Sequence, residues 1–289
     1  MKIGIVGLGL IGGSLGLDFR QLGHEVIGVA RRSATCETAI ARGAVDHADT
    51  ELQVLQSADI VFLCTPIHTL ASITVDLVAH LSPTTVLTDV GSVKGAVVQT
   101  IEPHWPNFVG GHPMAGKSEV GIAVAEANLF AHRAYVITPT AATPPTAIAC
   151  LTQLVTALQA EIFTCSPAAH DRAVAWISHL PVMVSSSLIQ ACLQEPDPTI
   201  RQLARAFASS GFRDTSRVGG GHPELGIMMA QYNRAELLRS LHTYQQALQE
   251  LTELVATEQW EALASILATN YDIRPSFTQP APAPDTAAL

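Results

Sequence analysis

Residues 1–33 read MKIGIVGLGLIGGSLGLDFRQLGHEVIGVARRS, and this stretch decides the fold. An apolar run with strand character, Lys2–Val6, leads into GLGLIG at residues 7–12. A helix is predicted over Gly13–Leu22 and a second strand over Glu25–Ala30. A GxGxxG motif between a strand and a helix is the fingerprint of dinucleotide binding, because the helix N-terminus offers free N–H groups to a pyrophosphate. The chain therefore opens with a predicted dinucleotide-binding βαβ unit.

The glycine motif supplies the predicted pyrophosphate contacts. Gly7 permits the tight turn, and Gly9 lets the backbone approach the phosphates closely. Gly12 lets the helix pack against its strand, while Leu10 and Ile11 contribute N–H groups near the helix N-terminus. We expect these five residues to contact the cofactor.

The end of the second predicted strand indicates which dinucleotide is bound. Proteins that bind NAD carry Asp or Glu about 20 residues after the glycines, where the carboxylate binds the ribose 2′-hydroxyl. This chain has Arg31, Arg32 and Ser33 there, whereas Glu25 begins the strand and Glu37 lies well past it. Arginine binds phosphate through paired charge-assisted hydrogen bonds, so we predict NADP, with Arg31 ahead of Arg32. Solvated loop arginines are the alternative.

Length and composition limit the class of protein. The 289 residues suffice for two domains, and a chain that is 48% hydrophobic and 14% charged should bury a large core and an extensive subunit interface. The net charge of −9, without a basic cluster, argues against a nucleic-acid partner. The eleven histidines show no metal-ligand spacing, so no metal is expected.

Cysteine usage and the start of the chain indicate the compartment. The five cysteines are scattered and form no CxxC pair, which suits reduced thiols in the cytoplasm. The nucleotide motif at the N-terminus leaves no room for a signal peptide, and no apolar run approaches membrane-spanning length. We therefore expect a cytoplasmic protein without a membrane partner.

Strand and helix signals alternate through the first part of the chain, which is the doubly wound α/β pattern of a mostly parallel sheet. Further strands are predicted at Ile60–Cys64, Thr85–Asp89, Asn107–Gly111, Ala134–Thr138 and Glu161–Cys165. Helices are predicted at Ala34–Arg42, Ile67–His80 and Thr146–Gln159. We assign residues 1–166 to this Rossmann-type domain.

From about Pro167 apolar residues recur at intervals of three and four, the spacing of amphipathic helices. Helices are predicted at His170–Gln194, Thr199–Phe207, Asn233–Thr257 and Glu258–Tyr271. Asn233 is a plausible N-cap for the third of them. That helix carries an apolar stripe formed by Leu237, Leu241, Tyr244, Leu248, Leu251 and Val255. We predict an all-helical dimerisation domain at residues 167–277 and a disordered, Pro-rich tail at 278–289.

The catalytic candidates lie where the strands end, because open α/β sheets bind ligands outside their carboxyl edge. Thr65, Pro66 and Gly91 follow two of these strands and are predicted cofactor contacts. His112 lies between two glycines and a proline, so we expect it in a defined turn, where a neutral imidazole takes a proton from a hydroxyl as hydride leaves the same carbon. Ser92 would hold that imidazole or the substrate hydroxyl, or would only cap a helix.

Several motifs together resemble one enzyme family. They are GLGLIGGSLG at 7–16, TDVGSVK at 88–94, GGHPMAG at 110–116, SHLP at 178–181 and GFRDTSRV at 211–218. In this order, and over nearly the whole chain, they resemble the prephenate/arogenate dehydrogenase family of tyrosine biosynthesis. Such enzymes oxidise the ring alcohol of a cyclohexadienol and release carbon dioxide as the ring becomes aromatic.

The resemblance implies roles for particular residues. His112 would be the catalytic base, with Ser92 as its partner on the ring hydroxyl. His179 would lie near the substrate and the nicotinamide, although a buried core histidine is the alternative. Arg217 would bind a substrate carboxylate.

The residues around Arg217 leave its role open. A doubly anionic substrate needs a cation on the helical side of the cleft, and Arg213 competes with Arg217 for that role. Asp214 would pair with Arg217 on the surface or would recognise a substrate amine. We expect the His112 imidazole and one of these guanidinium groups to converge on opposite ends of one ring.

The segment after GGHPMAG bears on the choice of substrate. Prephenate carries a keto acid side chain, whereas arogenate carries an amino acid. Some prephenate-using relatives place a glutamate two residues beyond HPMAG, where this chain has Lys117 and Ser118, with Glu119 one position later. Together with the predicted NADP preference, this resembles the cyanobacterial and plant arogenate dehydrogenases. We expect L-arogenate, with prephenate as the main alternative.

Two readings outside this family stay open. A β-hydroxyacid dehydrogenase or imine reductase also joins a nucleotide domain to a helical half, but it relies on Lys or Asn in place of a histidine. A non-catalytic NADP-sensing protein would keep the fold and bind the cofactor without turnover.

Overall fold

The computed structural model describes residues 1–117 and 119–278. Its first half is built on the strands β1 (Lys2–Val6), β2 (Glu25–Val29), β3 (His47–Asp49), β4 (Ile60–Leu63), β5 (Val86–Asp89), β6 (Phe108–Pro113), β7 (Ala134–Thr138) and β8 (Glu161–Thr164). They form one sheet in the order β3-β2-β1-β4-β5-β6-β7-β8. Strands β1 to β6 run parallel, β7 is antiparallel to β6, and β8 is parallel to β7. The predicted mostly parallel sheet is confirmed.

Helices cover both faces of the sheet because its central strands are apolar on both sides. The helices of this half are α1 (Leu10–Gln21), α2 (Ser33–Ala41), α3 (Leu70–Val78), α4 (Gly95–Ile101) and α5 (Pro145–Ala157). On β1, Ile3 and Ile5 belong to the core shared with α1, α2 and α5, whereas Val6 belongs to the core shared with α3 and α4. This arrangement leaves the carboxyl edge of the parallel strands free for ligands.

After β8 the described chain is helical up to Thr278. Its helices are α6 (Pro167–Val174), α7 (Leu180–Leu193), α8 (Pro198–Phe207), α9 (Ser210–Ser216), α10 (Pro223–Tyr232), α11 (Arg234–Ala256) and α12 (Trp260–Thr278). The predicted helical C-terminal region is confirmed.

A π-helical turn, Ala175–His179, joins α6 to α7 without a break. The N–H of Leu180 bonds to the C=O of Ala175, five residues back, and Pro181 follows without an N–H of its own. One extra residue in a turn rotates the side chains that follow by roughly 100° about the helix axis. Such turns often occur at functional sites, and this one ends at the fully buried His179.

Several element bounds differ from the sequence predictions. α1 begins at Leu10, within the glycine motif, where the prediction began at Gly13. The edge strand β3 has the sequence HAD, which lacks β-branched and aromatic residues and gives no strand signal. The glycines at 219–221 interrupt the helical spacing of apolar residues, so the sequence pattern did not predict α9 and α10. Thr278, assigned to the tail, ends α12, and residues 279–289 lie outside the described part of the chain.

One helical stretch contradicts the expectation that no apolar run approaches membrane-spanning length. Pro167–Leu193 is 27 residues long and contains an 18-residue window with a mean hydropathy of 1.3, so by length and composition alone it is a candidate membrane span. The sequence test missed it because His170, Asp171 and His179 interrupt the apolar run. These three polar residues are buried, together with Val174, Ala175, Leu180 and Ser185 of the same stretch.

Candidate active site

The glycine motif forms a cradle with one open position. Gly7 has φ of +102°, and a Cβ there would lie 2.7 Å from the Cys64 carbonyl oxygen. At Gly12 a Cβ would lie 2.1 Å from the carbonyl oxygen of Gly7, so both positions require glycine for packing within the chain. A Cβ at Gly9 would meet nothing within 4 Å. That space lies at the helix N-terminus, which is where a pyrophosphate binds.

The first turn of α1 is free to bind an anion. Its N-cap, Gly9, has no side chain to accept the helix N–H groups, and the turn that holds Leu10 and Ile11 contains no acidic residue. These features fit a dinucleotide phosphate. Nearby, the Thr65 hydroxyl is buried without a hydrogen bond to any described residue, and Pro66 is exposed.

Arg31, Arg32 and Ser33 are exposed at the end of β2 and the start of α2. The structure gives the two guanidinium groups no ion pair within residues 1–117 and 119–278, so they are available to a ligand phosphate. Asp49 ends the neighbouring β3, but its Oδ1 accepts hydrogen bonds from the N–H groups of Thr50 and the following residue. Its carboxylate is thus bound to its own turn.

His112 lies inside β6 and not in a turn, which corrects the prediction. It pairs with Val136 of β7 and is only 7% exposed. Gly111 lets the strand take this close-packed path to His112. A Cβ at Gly111 would lie 2.9 Å from the carbonyl oxygen of Asp89 and 3.0 Å from the Tyr135 hydroxyl. The antiparallel β7, which the alternating pattern does not reveal, extends β6 beyond the end of β5 and carries the imidazole with it.

A buried ion pair holds the ends of β5 and β6 together. Lys94 Nζ donates to Asp89 Oδ2 and, at 2.6 Å, to the Gly111 carbonyl oxygen, and both charged side chains are fully buried. Asp89 also accepts from the N–H groups of Gly91 at 2.8 Å and Gly111 at 3.3 Å. The Gly91 N–H is therefore occupied within the protein, and the cofactor contact predicted for Gly91 stays a prediction.

Asp171 of α6 joins the helical region to the sheet. Its Oδ1 and Oδ2 accept the N–H groups of Lys94 at 2.7 Å and Gly95 at 2.8 Å, so a side chain from another element caps α4. Ser92 is not the cap of α4, and its hydroxyl makes no hydrogen bond to His112 among the described residues. Ser92 is partly exposed beside the site.

A second histidine holds the catalytic candidate. His112 Nδ1 lies 2.8 Å from His170 Nε2, and His170 Nδ1 lies 2.8 Å from Asp171 Oδ1. His170 is 2% exposed. The three side chains form a continuous line from α6 to β6.

His179 is fully buried and is held by Asn233, the residue before α11. The Asn233 Nδ2 atom lies 3.1 Å from His179 Nδ1 and donates to the Asp171 carbonyl oxygen at 2.7 Å. Asn233 occupies the predicted N-cap position of α11, and its C=O accepts the Leu237 N–H, but its side chain makes no capping bond there. Its amide instead connects the start of α11 to Asp171 of α6 and to His179 of the π-helical turn.

Burial controls the charge of both imidazoles. It lowers the pKa of His112 well below the usual value, and the charge of the Lys94 ammonium lowers it further. Burial also lowers the pKa of His179 to about 4, although the Asp171 carboxylate opposes this shift. Both rings are neutral at pH 7, and a neutral imidazole can accept a proton.

The predicted carboxylate-binding residues make no hydrogen bond to this cluster among the described residues. Arg213, Asp214 and Arg217 are exposed on or after α9, and no ion pair between Arg217 and Asp214 occurs in the described structure. The Ser185 hydroxyl ties this segment to α7 by donating to the Thr215 carbonyl at 2.6 Å. Within the described residues, no hydrogen bond links the three side chains to His112, so their convergence on one ring stays a prediction.

Sequence reasoning missed His170, Asp171, Asn233 and Lys94. Lys94 was noted only within a motif, and His170 only as the start of a helix. The sequence carries one signal, because His170, Asp171 and Arg172 are adjacent polar residues ahead of the largely apolar stretch at 173–184. Asn233 gave none, since an Asn before a helix is an ordinary cap.

A dinucleotide cradle and a buried, neutral imidazole at the same sheet edge define a nicotinamide-dependent dehydrogenase. The family model described as "Prephenate dehydrogenase, nucleotide-binding domain" matches residues 15–164, and "Prephenate dehydrogenase, dimerization domain" matches residues 166–269. The chain belongs to the prephenate dehydrogenase family, as the motifs predict.

Individual relatives agree with this assignment. The crystal structure of Synechocystis arogenate dehydrogenase is 52% identical, with a TM-score of 0.87, and covers 96% of this chain and 100% of its own. The Aquifex aeolicus prephenate dehydrogenase in complex with hydroxyphenyl propionate and NAD+ is 26% identical, with a TM-score of 0.90, covering 96% and 98%. The prephenate dehydrogenase of Bacillus subtilis is 30% identical over 93% of this chain and 74% of its own length.

Proposed function

We propose that this protein catalyses the oxidative decarboxylation of L-arogenate to L-tyrosine with NADP+. The observation that carries the proposal is the buried imidazole of His112, held by His170 at the sheet edge that also carries the dinucleotide cradle. The similarity to the Synechocystis arogenate dehydrogenase supports arogenate as the substrate. The position two residues beyond HPMAG, where some prephenate-using relatives carry a glutamate, is Ser118, which lies outside the described residues. The preceding Lys117 pairs with Glu126.

The reaction needs a proton acceptor beside the carbon that loses hydride. NADP+, when bound, supplies the hydride acceptor. The Nε2 atom of His112 accepts the proton of the ring hydroxyl as the carbon–oxygen bond becomes a carbonyl. The ring carboxylate then leaves as carbon dioxide, its bonding electrons pass through the ring to the carbonyl oxygen, and His112 returns the proton to that oxygen.

The remaining predicted residues would orient the substrate. We assign Ser92 to the ring hydroxyl and His179 to the space between substrate and nicotinamide. Arg217, or Arg213 beside it, would bind a carboxylate, because both are exposed and cationic. Asp214 is the candidate for the substrate amine.

NADP specificity would come from the end of β2. Arg31 and Arg32 are exposed there with Ser33, and the strand ends without a carboxylate that would repel a 2′-phosphate. Thr65, with an unpaired hydroxyl, and Pro66 would lie along the same cofactor.

We further propose a cytoplasmic homodimer. All five cysteines are free, which suits a reducing compartment. The helical region exposes large apolar side chains, among them Tyr271 at 82% and Phe277 at 75%, and its family model is described as a dimerization domain. Burial of such residues against a second copy would remove them from water.

Steady-state turnover with the four combinations of arogenate or prephenate and NADP+ or NAD+ tests the proposed reaction. We expect the highest kcat/KM with arogenate and NADP+. A higher value with prephenate would assign the keto acid as the substrate, and a higher value with NAD+ would contradict the role given to Arg31. Cofactor binding without turnover would indicate the sensing protein.

His112→Asn separates this mechanism from that of the β-hydroxyacid dehydrogenases and imine reductases. General-base catalysis contributes about 10²- to 10⁴-fold, so we expect kcat to fall by roughly that factor. NADPH formation measures the loss, and unchanged NADP+ affinity would show that the cradle is intact. Full turnover in this variant would remove His112 from the mechanism.

A further inference from the structure

The hydrogen bonds along the line of side chains behind His112 limit which atoms can donate and which can accept. Both oxygens of Asp171 accept backbone N–H groups, from Lys94 and Gly95, so the group is a carboxylate and an acceptor. His170 must therefore donate from Nδ1 to Asp171 Oδ1. In a neutral His170 the other nitrogen, Nε2, carries a lone pair and accepts from Nδ1–H of His112. His112 is then left with a free lone pair on Nε2.

The second buried histidine is oriented in the opposite sense. The atom of Asn233 that faces the Asp171 carbonyl must be the amide nitrogen, because a carbonyl only accepts. The same nitrogen lies 3.1 Å from His179 Nδ1 and donates its second hydrogen there. His179 Nδ1 is thus an acceptor, and the proton of this neutral ring lies on Nε2. That nitrogen is buried and makes no hydrogen bond of good geometry to a described residue, although the ring also interacts with the Ser92 backbone.

We propose that the fold sets opposite tautomers in its two buried histidines, so that His112 presents an acceptor and His179 presents a donor. His170 and Asn233 are the positioning residues that impose this difference. The consequence for catalysis rests on the proposed function. The proton of the substrate hydroxyl moves to Nε2 of His112, while Nδ1–H stays bonded to His170. His179 Nε2–H, with the Ser92 backbone near the ring, is the donor that His179 offers to an oxygen of the substrate or of the cofactor amide.

Nitrogen NMR tests the tautomers without any reaction. Long-range ¹H–¹⁵N correlation spectra of the full-length protein with ¹⁵N-labelled histidine distinguish Nδ1–H from Nε2–H rings, and spectra of His112→Asn and His179→Asn assign the signals. We expect Nδ1–H for His112 and Nε2–H for His179 near pH 7.5. An Nε2–H form of His112, a doubly protonated His170, or matching tautomers in both rings would overturn the proposal. Because no substrate is present, this outcome is independent of the substrate assignment.

Two variants at His170 test its positioning role. His170→Gln keeps an oxygen that can accept Nδ1–H of His112, whereas His170→Leu removes every acceptor there. A wrongly held tautomer can cost about 10⁴-fold in kcat in a serine protease, so for His170→Leu we expect a loss of at least roughly 10²-fold. His170→Gln should recover most of it.

The cofactor supplies the internal control for this pair. The Kd for NADP+ should be equal in wild type, His170→Gln and His170→Leu, since His170 lies outside the cradle. A folded His170→Leu variant that keeps both wild-type kcat and the Nδ1–H form of His112 would overturn the positioning role. If His170→Leu does not fold, the wild-type spectra and His170→Gln still decide the question.

Discussion

At the scale of single residues, burial determines which form of each histidine is stable. An imidazole out of water loses the hydration of its charged form, so its pKa falls. In His112 the Lys94 ammonium adds to this effect, whereas in His179 the Asp171 carboxylate opposes it. His112 therefore stays unprotonated well below pH 6.5, which a proton acceptor requires.

The buried His179 predicts how stability depends on pH. Its pKa falls from 6.5 to about 4 on folding, so between these values the unfolded chain binds a proton that the folded chain does not. Its contribution is complete above pH 6.5 and is lost as the pH falls towards 4, by roughly 3 kcal/mol at about 1.4 kcal/mol per pH unit. Urea unfolding at several pH values measures this loss.

A variant that cannot titrate provides the comparison. His179→Gln should lose less stability over the same pH range, and His104→Gln, on an exposed residue, should follow wild type. Equal pH slopes in wild type and His179→Gln would contradict the prediction.

The prediction for Arg31 concerns the 2′-phosphate. Hydrogen bonds to charged groups contribute about 1.5–3 kcal/mol, so Arg31→Ala should weaken NADP+ binding by roughly 10- to 100-fold. NAD+ binding should not change, because NAD+ lacks the 2′-phosphate. Titration of both cofactors checks the effect, with Arg205→Ala on α8 as the control. An unchanged NADP+/NAD+ preference would exclude Arg31 from cofactor selection.

At the scale of elements, the glycine motif combines two kinds of position. Position 12 requires glycine because a Cβ there would lie 2.1 Å from the carbonyl oxygen of Gly7. Gly9 faces open space, so the folded chain does not itself require glycine there. Only a ligand would fill that space.

Alanine substitutions separate these two kinds of position. Gly9→Ala should leave the free energy of unfolding nearly unchanged and weaken cofactor binding at least tenfold. Gly12→Ala should destabilise the protein by about 1–3 kcal/mol, the usual cost of overpacking. Chemical denaturation and cofactor titration of both variants test this pair. Full cofactor affinity in Gly9→Ala would show that the phosphates bind elsewhere.

At the scale of the whole molecule, the two halves differ in how completely a single chain buries their apolar residues. The predicted stripe on α11 begins with Leu237, which is 4% exposed, but Leu248 and Val255 near its other end are 50% and 52% exposed. On α12, Trp260 and Tyr271 are exposed as well. A second copy of the chain would cover this surface.

Leu248→Glu should therefore shift the protein from dimer to monomer. A buried charge at an apolar interface is costly, whereas the same charge is tolerated at an exposed polar position. Gln246→Glu, on the opposite face of the same helix, is the matched control and should remain dimeric. Light scattering over a range of concentrations measures the mass. A dimeric Leu248→Glu protein would place the interface on another surface.

The sequence by itself determined the opening βαβ unit, the mostly parallel sheet, the helical C-terminal region and the family. These features depend on spacing over a few residues, such as glycines between an apolar run and a helix. His112 was also found, since motif and strand order place it at the carboxyl edge of the sheet.

Only the tertiary structure decided what surrounds that histidine. His112 and His170 form a hydrogen bond although they are 58 residues apart in the sequence. Asn233 and Asp171 form one although they are 62 residues apart. Local periodicity carries no information about such pairs, because they exist only once α6 packs against the sheet and α11 packs against the π-helical turn. The direction of each hydrogen bond, and with it the nitrogen that is free to react, follows from this packing.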